Sequence, residues 1–215
     1  MAELKLVVFD VDGTLVKVYS SWQHLHEALG TWDRGRRYAE QFFQGAISYE
    51  EWAMLDASLW RGSPLDKVQR IINCISYTQG TQEVIATLRN GGFKVVLLSA
   101  GLSLITERIE REIGIDYSLA NELIVKNGFL TGEVKVNVPF DGKVEVLHRI
   151  SERFGVRMEG CAAVGDDETS IPLFEIVGLG IAFNPHSERV EKSASVVVKG
   201  KDLRMVLPYL LASNV

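Results

Sequence analysis

The chain has 215 residues, 47% hydrophobic and 24% charged, which suits one domain, or one domain carrying a small insert, with a sizeable core. Its formal net charge is -5 with no basic stretch, arguing against a nucleic-acid partner, and no apolar run approaches the roughly 18 residues of a membrane span. The two cysteines, Cys74 and Cys161, are too few for a disulfide framework and read as small core residues; with no signal-peptide pattern, the expected setting is the cytoplasm.

The first element is the run Leu4 to Phe9, rich in β-branched and aromatic residues, which reads as a buried strand. It ends in Asp10-Val11-Asp12-Gly13, where the glycine permits a tight turn. From about residue 17 to 79 the pattern turns helical, with helices expected near 21–30, 35–44, 48–58 and 65–77. Ser48 and Glu51 have the spacing of a capping box, and Pro64 suits a first helical position. This segment holds all four tryptophans, Trp22, Trp32, Trp52 and Trp60, and more than half of the aromatic residues. Its basic and acidic residues balance, so the acid excess belongs to the rest of the chain. That shift in composition marks a helical module, 17–79, inserted into a discontinuous core, 1–16 and 80–215.

Beyond residue 80, strands alternate with helices. Phe93 to Leu98 is a second buried strand, closing at Ser99-Ala100-Gly101, ahead of a helix faced by Leu102, Ile105, Ile109 and Ile113. Asn121 to Val125 and Phe129 to Val134 flank Asn127-Gly128, a hairpin signal. A helix over 141–154 precedes a third buried strand, Cys161 to Val164, closing at Gly165-Asp166-Asp167; further strands are expected at 178–183 and 195–198. The alternation implies an α/β fold with a parallel sheet and helices on both faces.

In a parallel sheet the ends of the three buried strands lie on one edge, where ligands bind. Each signal alone has a plain reading: Asp-x-Asp-Gly as turn chemistry, Ser99 as a helix cap, Lys143 as a solvated lysine. Together they place Asp10, Asp12, Asp166 and Asp167 close to one another. A like-charged pair at ~4 Å costs about 4 kcal/mol at an effective dielectric of 20. One lysine cannot offset several such pairs, whereas Mg²⁺ suits clustered carboxylates and water. A metal beside an anion pocket and a lysine is a phosphate site, where one aspartate could attack phosphorus and another carry the proton.

Asp10-Val11-Asp12-Gly13-Thr14-Leu15, Ser99, Lys143 and Gly165-Asp166-Asp167 resemble, in order, the four motifs of the haloacid dehalogenase superfamily. The helical insert resembles that superfamily's smaller cap class, and the hairpin around Asn127-Gly128 looks like the phosphoserine phosphatase branch. The resemblance implies a Rossmann-like three-layer core with a central parallel sheet and a small helical-bundle cap. It implies Asp10 as a nucleophile forming a phospho-aspartyl intermediate and Asp12 as the proton carrier. It also implies Mg²⁺ held by Asp10, the Asp12 carbonyl and Asp166, and phosphoryl oxygens bound by Ser99, the Gly101 amide and Lys143. The expected partner is a small-molecule phosphate monoester, with no nucleic acid and no membrane.

Three departures stand out against that resemblance. Tyr19 stands where phosphoserine phosphatases carry a glutamate for the substrate amine, so it is a candidate substrate contact. Asp56 stands where they carry an arginine for the substrate carboxylate, so poor activity on phosphoserine is expected. Ser170 replaces a further acid of the fourth motif, a role Asp167 is expected to assume. A phosphotransferase or mutase sharing the nucleophile, and a non-catalytic phospho-ligand binder, stand as alternatives. Tyr19, Trp22, Phe43, Tyr49 and Trp52 are the aromatics expected nearest the site. Arg34, Arg36 and Arg37 read as a solvated helix start. His24 and His26, two apart on a helix, point in different directions and make a poor metal pair.

Overall fold

A computed structural model describes residues 3–212. The central strand β1, Leu6–Phe9, alternates its side chains between two apolar layers. Val7 and Phe9 join one layer, Leu6 and Val8 the other. The remaining strands are β2 (Lys94–Leu102), β3 (Tyr117–Lys126), β4 (Phe129–Lys135), β5 (Cys161–Gly165), β6 (Leu179–Phe183) and β7 (Val196–Val198). Their order in the sheet is β4-β3-β2-β1-β5-β6-β7. All neighbours are parallel except β3 and β4, which form an antiparallel hairpin. Asn127 and Gly128, at φ 53° and 80°, make the turn; both central residues at positive φ is what a two-residue hairpin asks for.

Between β1 and the sheet's next helix lie α1 (Ser21–Leu29), α2 (Trp32–Phe43), α3 (Tyr49–Ser58) and α4 (Leu65–Asn73). Then come α5 (Thr81–Asn90), α6 (Ser103–Glu112), α7 (Lys143–Phe154), α8 (Ile171–Ile176), α9 (Glu188–Ser193) and α10 (Leu207–Ala212). Helices α5, α6 and α10 cover one face of the sheet, and α7, α8 and α9 the other, giving three layers. Leu25, Ala57, Trp60, Val68 and Ile72 of the inserted segment lie in the same apolar cluster as Val7, Phe9, Leu97 and Val164 of the sheet. The segment therefore shares the core's burial and has no separate one. None of the helices among the described residues is long and apolar enough to cross a membrane.

Two sets of main-chain bonds fix the insert. At its base, Lys17 N–H donates to Ser76 O (2.9 Å) and Thr78 N–H to Leu15 O (2.9 Å). At its far side, the loop between α3 and α4 pairs with the hairpin tip: Gly62 N–H donates to Leu130 O, Leu130 N–H to Ser63 O, and Leu65 N–H to Gly128 O, at 2.8–2.9 Å.

Several local expectations change. The Ser48–Glu51 capping box forms as expected and starts α3. Pro64 is the cap of α4, one residue outside it, because its ψ of 133° is extended. Helix α2 starts at Trp32, ahead of the expected 35, and α4 stops at Asn73, short of 77. Cys74 is exposed at the end of α4, not in the core; Cys161 is buried. Strand β2 continues through Ser99-Ala100-Gly101, so Ser99 lies in a strand and α6 begins only at Ser103. Ser99 is thus neither an N-cap nor at a helix N-terminus.

Candidate active site

Parallel pairing of β1 with β2 and β5 carries Asp10, Ser99 and Asp166 to one sheet edge. Asp10 N–H donates to Val164 O at 2.8 Å, extending the sheet ladder to the acid itself. Its side chain is 7% exposed. One oxygen, Oδ1, accepts from Val11 N–H (2.8 Å); the other faces Lys143 Nζ at 2.8 Å. Ser170 Oγ lies 3.4 Å from that second oxygen and donates to it.

Lys143 is the first residue of α7 and is 1% exposed. Burial by itself lowers the pKa of a lysine, but the carboxylates of Asp10, Asp167 and Asp166 outweigh it and raise the value. Burial pushes the Asp10 carboxyl up to about 7; Lys143 opposes the shift, while Asp167 and Asp166 add to it. Burial also pushes Asp12 up to about 6, against the hydrogen bond from Ser21 N–H to its Oδ2 (2.6 Å). Asp12 Oδ1 is buried with no hydrogen-bond partner.

Asp166 is held from three sides. Thr14 Oγ donates to its Oδ1 (2.6 Å), His186 Nε2 meets its Oδ2 (3.0 Å), and the His186 amide donates to its main-chain oxygen (2.9 Å). Burial raises its pKa, and the hydrogen bonds from His186 and Thr14 counter that. Gly13, at φ 76°, is required here, because a Cβ would overlap the Asp166 carboxylate.

Buried acids with raised pKa values and a single lysine leave negative charge that a divalent cation would neutralise. Among the described residues, no group of three or more His, Cys, Asp or Glu side chains forms a metal cage. Asp10, Asp166 and the Asp12 carbonyl nonetheless fit Mg²⁺, which takes one or two carboxylates and fills its other positions with water and phosphate oxygens.

Ser99 is 2% exposed and accepts a hydrogen bond from Gly101 N–H (2.9 Å). Gly101 therefore does not offer a free amide, as the sequence suggested; it orients Ser99, whose own proton is available to a ligand. A Cβ on Gly101 would sit 2.7 Å from Asp12 Oδ2 and 2.5 Å from Ser21 Oγ, so glycine lets β2 approach both. Asp167 accepts from Thr169 N–H (3.0 Å) and Thr169 Oγ (2.6 Å), and its charge acts on both Asp10 and Lys143.

Above these groups lies a cavity of about 250 Å³. Asp10, Asp12, Ser99, Gly101 and Tyr19 line it, with Asp167, while Lys143 and Asp166 stand behind Asp10. Tyr19 is at the rim, 78% exposed, its ring edge-on to His186 at 4.5 Å. All five aromatics expected near the site, Tyr19, Trp22, Phe43, Tyr49 and Trp52, line the cavity, joined by Trp32 and Phe140. Arg34 and Arg36 stay on an exposed face, bonding Tyr38 (3.3 Å) and Glu40 (3.9 Å) of their own helix.

Three residues have a place at the site that the sequence reading did not give them. His26 is 1% exposed and its Nε2 lies 3.1 Å from Asp56 Oδ1; its position four residues after Trp22 on α1 was the available signal. Asn121, fully buried, donates to Ala100 O, Tyr49 Oη and Val138 O and accepts from the amides of Asn137 and Val138. His186 follows the last long strand with no pattern to mark it.

A model of the haloacid dehalogenase-like hydrolases matches residues 7–175. The chain belongs to this family. Within it, this hydrolase is similar to the phosphoserine phosphatase of Methanocaldococcus jannaschii, with 34% identity over 207 residues, 96% of this chain and 97% of that relative. It also resembles a solved phospho-aspartyl intermediate analogue of phosphoserine phosphatase (32% identity, TM-score 0.83, 97% of this chain and 100% of that one). A substrate-bound phosphoserine phosphatase complex matches equally well (31% identity, TM-score 0.84, 98% and 100%). The hydrolase thus has the fold expected from its sequence.

Asp10 and Asp12 titrate near 7 and near 6 in the fold, against an ordinary 3.8. Between about pH 4 and pH 7 the folded chain therefore binds more protons than the unfolded chain, and stability falls as pH rises through that window. In EDTA, unfolding free energy is expected to drop by about 2–5 kcal/mol between the two ends of the window, with a divalent cation recovering most of it near neutrality. Thermal melts with and without the cation read this; a melting temperature in EDTA that climbs with pH contradicts it.

Proposed function

We propose that the chain hydrolyses the phosphate monoester of a small metabolite other than phosphoserine, with Mg²⁺, through a phospho-aspartyl intermediate on Asp10. The enzyme is a phosphoric monoester hydrolase. The observation that carries the reading is the Asp10–Lys143 pair at the end of the central strand, with Asp12 two residues on at the floor of the same cavity.

Asp10 attacks phosphorus: a carboxylate oxygen forms the new P–O bond as the ester P–O bond breaks. Lys143 favours the ionised form of Asp10 against the pull of burial and balances charge on the phosphoryl oxygens. Asp12 gives its proton to the leaving alkoxide and then takes one from the water that cleaves the acyl phosphate. A value near 6 suits both directions of transfer close to neutral pH. Ser99 donates to a phosphoryl oxygen. Asp10, Asp166 and the Asp12 carbonyl would hold Mg²⁺, which when bound neutralises charge on the transferring group. Asp167 supports Lys143 in place of the acid absent at Ser170.

Asp56 supports a substrate without a carboxylate. It is 2% exposed on the cavity wall; burial raises its pKa and His26 at 3.1 Å counters that, and in its ionised form it would meet a second carboxylate with like charge.

Hydrolysis of p-nitrophenyl phosphate should require Mg²⁺ and disappear in Asp10→Asn; a wild type without turnover sinks the phosphatase reading. Phosphoserine should give a kcat/KM at least about tenfold below that of the best monoester lacking a carboxylate, an energy difference of about 1.4 kcal/mol; phosphoserine as the best substrate refutes the exclusion. Asp167→Ala should cost about 10-fold or more in turnover or in metal affinity, and unchanged values for both remove Asp167 from the proposed role.

A further inference from the structure

The cavity extends well beyond the phosphate end. Tyr49 Oη donates to Ala100 O (2.9 Å) and Trp22 Nε1 donates to the same oxygen (3.1 Å), so both lie beside Ser99. On α3, Tyr49, Trp52 and Asp56 follow one face, and Asp56 stands seven residues past Tyr49, roughly 10 Å along the helix axis. On α1, His26 stands one turn past Trp22. The two helices carry the cavity from the reacting end to the His26–Asp56 pair.

This far arm has a fixed wall. The His26 ring packs 4.6 Å from Trp60 and its Nδ1 is hydrogen-bonded to Thr31 Oγ at 2.8 Å. On its other side is Gly35 of α2, where a Cβ would come within 2.7 Å of Nε2. The arm is largely aromatic, with Gln23, Ala39 and Ala53 between the rings: Trp52 lies 5.8 Å from Phe43 and 5.9 Å from Tyr49, and Phe140 lies 6.0 Å from Phe43, ring centre to ring centre.

The chemistry of these walls narrows the occupant. A carboxylate or second phosphate meets Asp56. A polyol needs a partner for each hydroxyl, yet Trp22 N–H and Tyr49 O–H are taken by Ala100 and Trp60 N–H and His26 Nδ1 by Thr31, which leaves Trp52 N–H and the Gln23 side chain as the polar groups of the lining a hydroxyl could use. A primary ammonium carries three N–H donors and finds one carboxylate. A methylated ammonium has no N–H to satisfy, and it favours aromatic faces beside a single negative charge.

We infer that the arm between α1 and α3 is a subsite for a quaternary ammonium group, so that the substrate is the phosphate ester of a short alcohol bearing a methylated amine. This rests on the phosphatase reading above, and binding tests it apart from turnover. Intrinsic tryptophan fluorescence of the wild type is titrated with choline and with 3,3-dimethylbutanol, which replaces the charged nitrogen by carbon. Choline should quench saturably and bind at least tenfold tighter than the neutral alcohol. Asp56→Asn should bring the two within about twofold. In turnover, phosphocholine should exceed 3,3-dimethylbutyl phosphate and phosphoethanolamine in kcat/KM by at least tenfold.

Equal binding of choline and its neutral counterpart by the wild type overturns the inference, and so does the absence of choline binding. Both hold whether or not Asp56→Asn folds. Saturable choline binding without hydrolysis of any monoester would uphold the subsite and remove the phosphatase reading.

Discussion

The contact between Lys143 and Asp10 organises the rest of this protein. A buried carboxylate and a buried ammonium are each costly to remove from water, and their attraction offsets that only with good geometry and further hydrogen bonds. Here the geometry is a 2.8 Å contact, with Val11 N–H and Ser170 Oγ on the same carboxylate. The imbalance beyond the pair matters as much. Asp12, Asp166 and Asp167 add negative charge that one lysine does not match; burial is the main cause of the raised values of Asp10 and Asp12, and the charge of Asp166 and Asp167 adds to it. On the proposed reading, a site that raises the pKa of Asp10 in this way suits a phosphoryl group and a cation bound together.

Much of this was legible in the chain because parallel sheets impose a simple geometry. Strands identified from apolar runs ending in polar residues share an edge, so Asp10, Ser99 and Asp166 had to converge. What stayed hidden depends on long-range contacts without a local pattern. Ser99 looked like the start of a helix because Ser-Ala-Gly is good turn sequence; pairing with β3 and the hydrogen bond of Leu102 N–H to Ser21 Oγ (3.0 Å) keep the strand going. Cys74 looked buried because isoleucines surround it, but α4 turns that side of its last residue to solvent. Asn121 was read only as part of a hairpin, although it ties β3 to Ala100 and Tyr49. Asp56 and His26 are thirty residues apart and meet only because α1 and α3 face each other across the cavity.

The aromatics of the insert have two roles that composition alone does not separate. Trp60, 1% exposed, packs on Trp22 at 5.5 Å and belongs to the core. Trp52, Tyr49 and Phe43 face the cavity and pack against one another there. Burial favours rings in both places, but only the second set has an open side. On the proposed reading, substrate choice falls to α1 and α3, and the chemistry to β1, β2, β5 and α7.

The main-chain bonds between the α3–α4 loop and the hairpin tip bear on how this enzyme exchanges its contents. The insert is an arch with two footings: one where Lys17 and Ser76 pair, the other where Gly62, Ser63 and Leu65 grip Gly128 and Leu130. Swinging it away as a flap would break hydrogen bonds at the second footing and uncover Trp60 and Leu25. Tyr19 and Phe43, 78% and 67% exposed, stand at the edge of the arch, one packed on His186 and the other on Trp52 and Phe140. An insert pinned at both footings leaves the gap beside these two rings as the opening into the cavity that breaks none of those bonds.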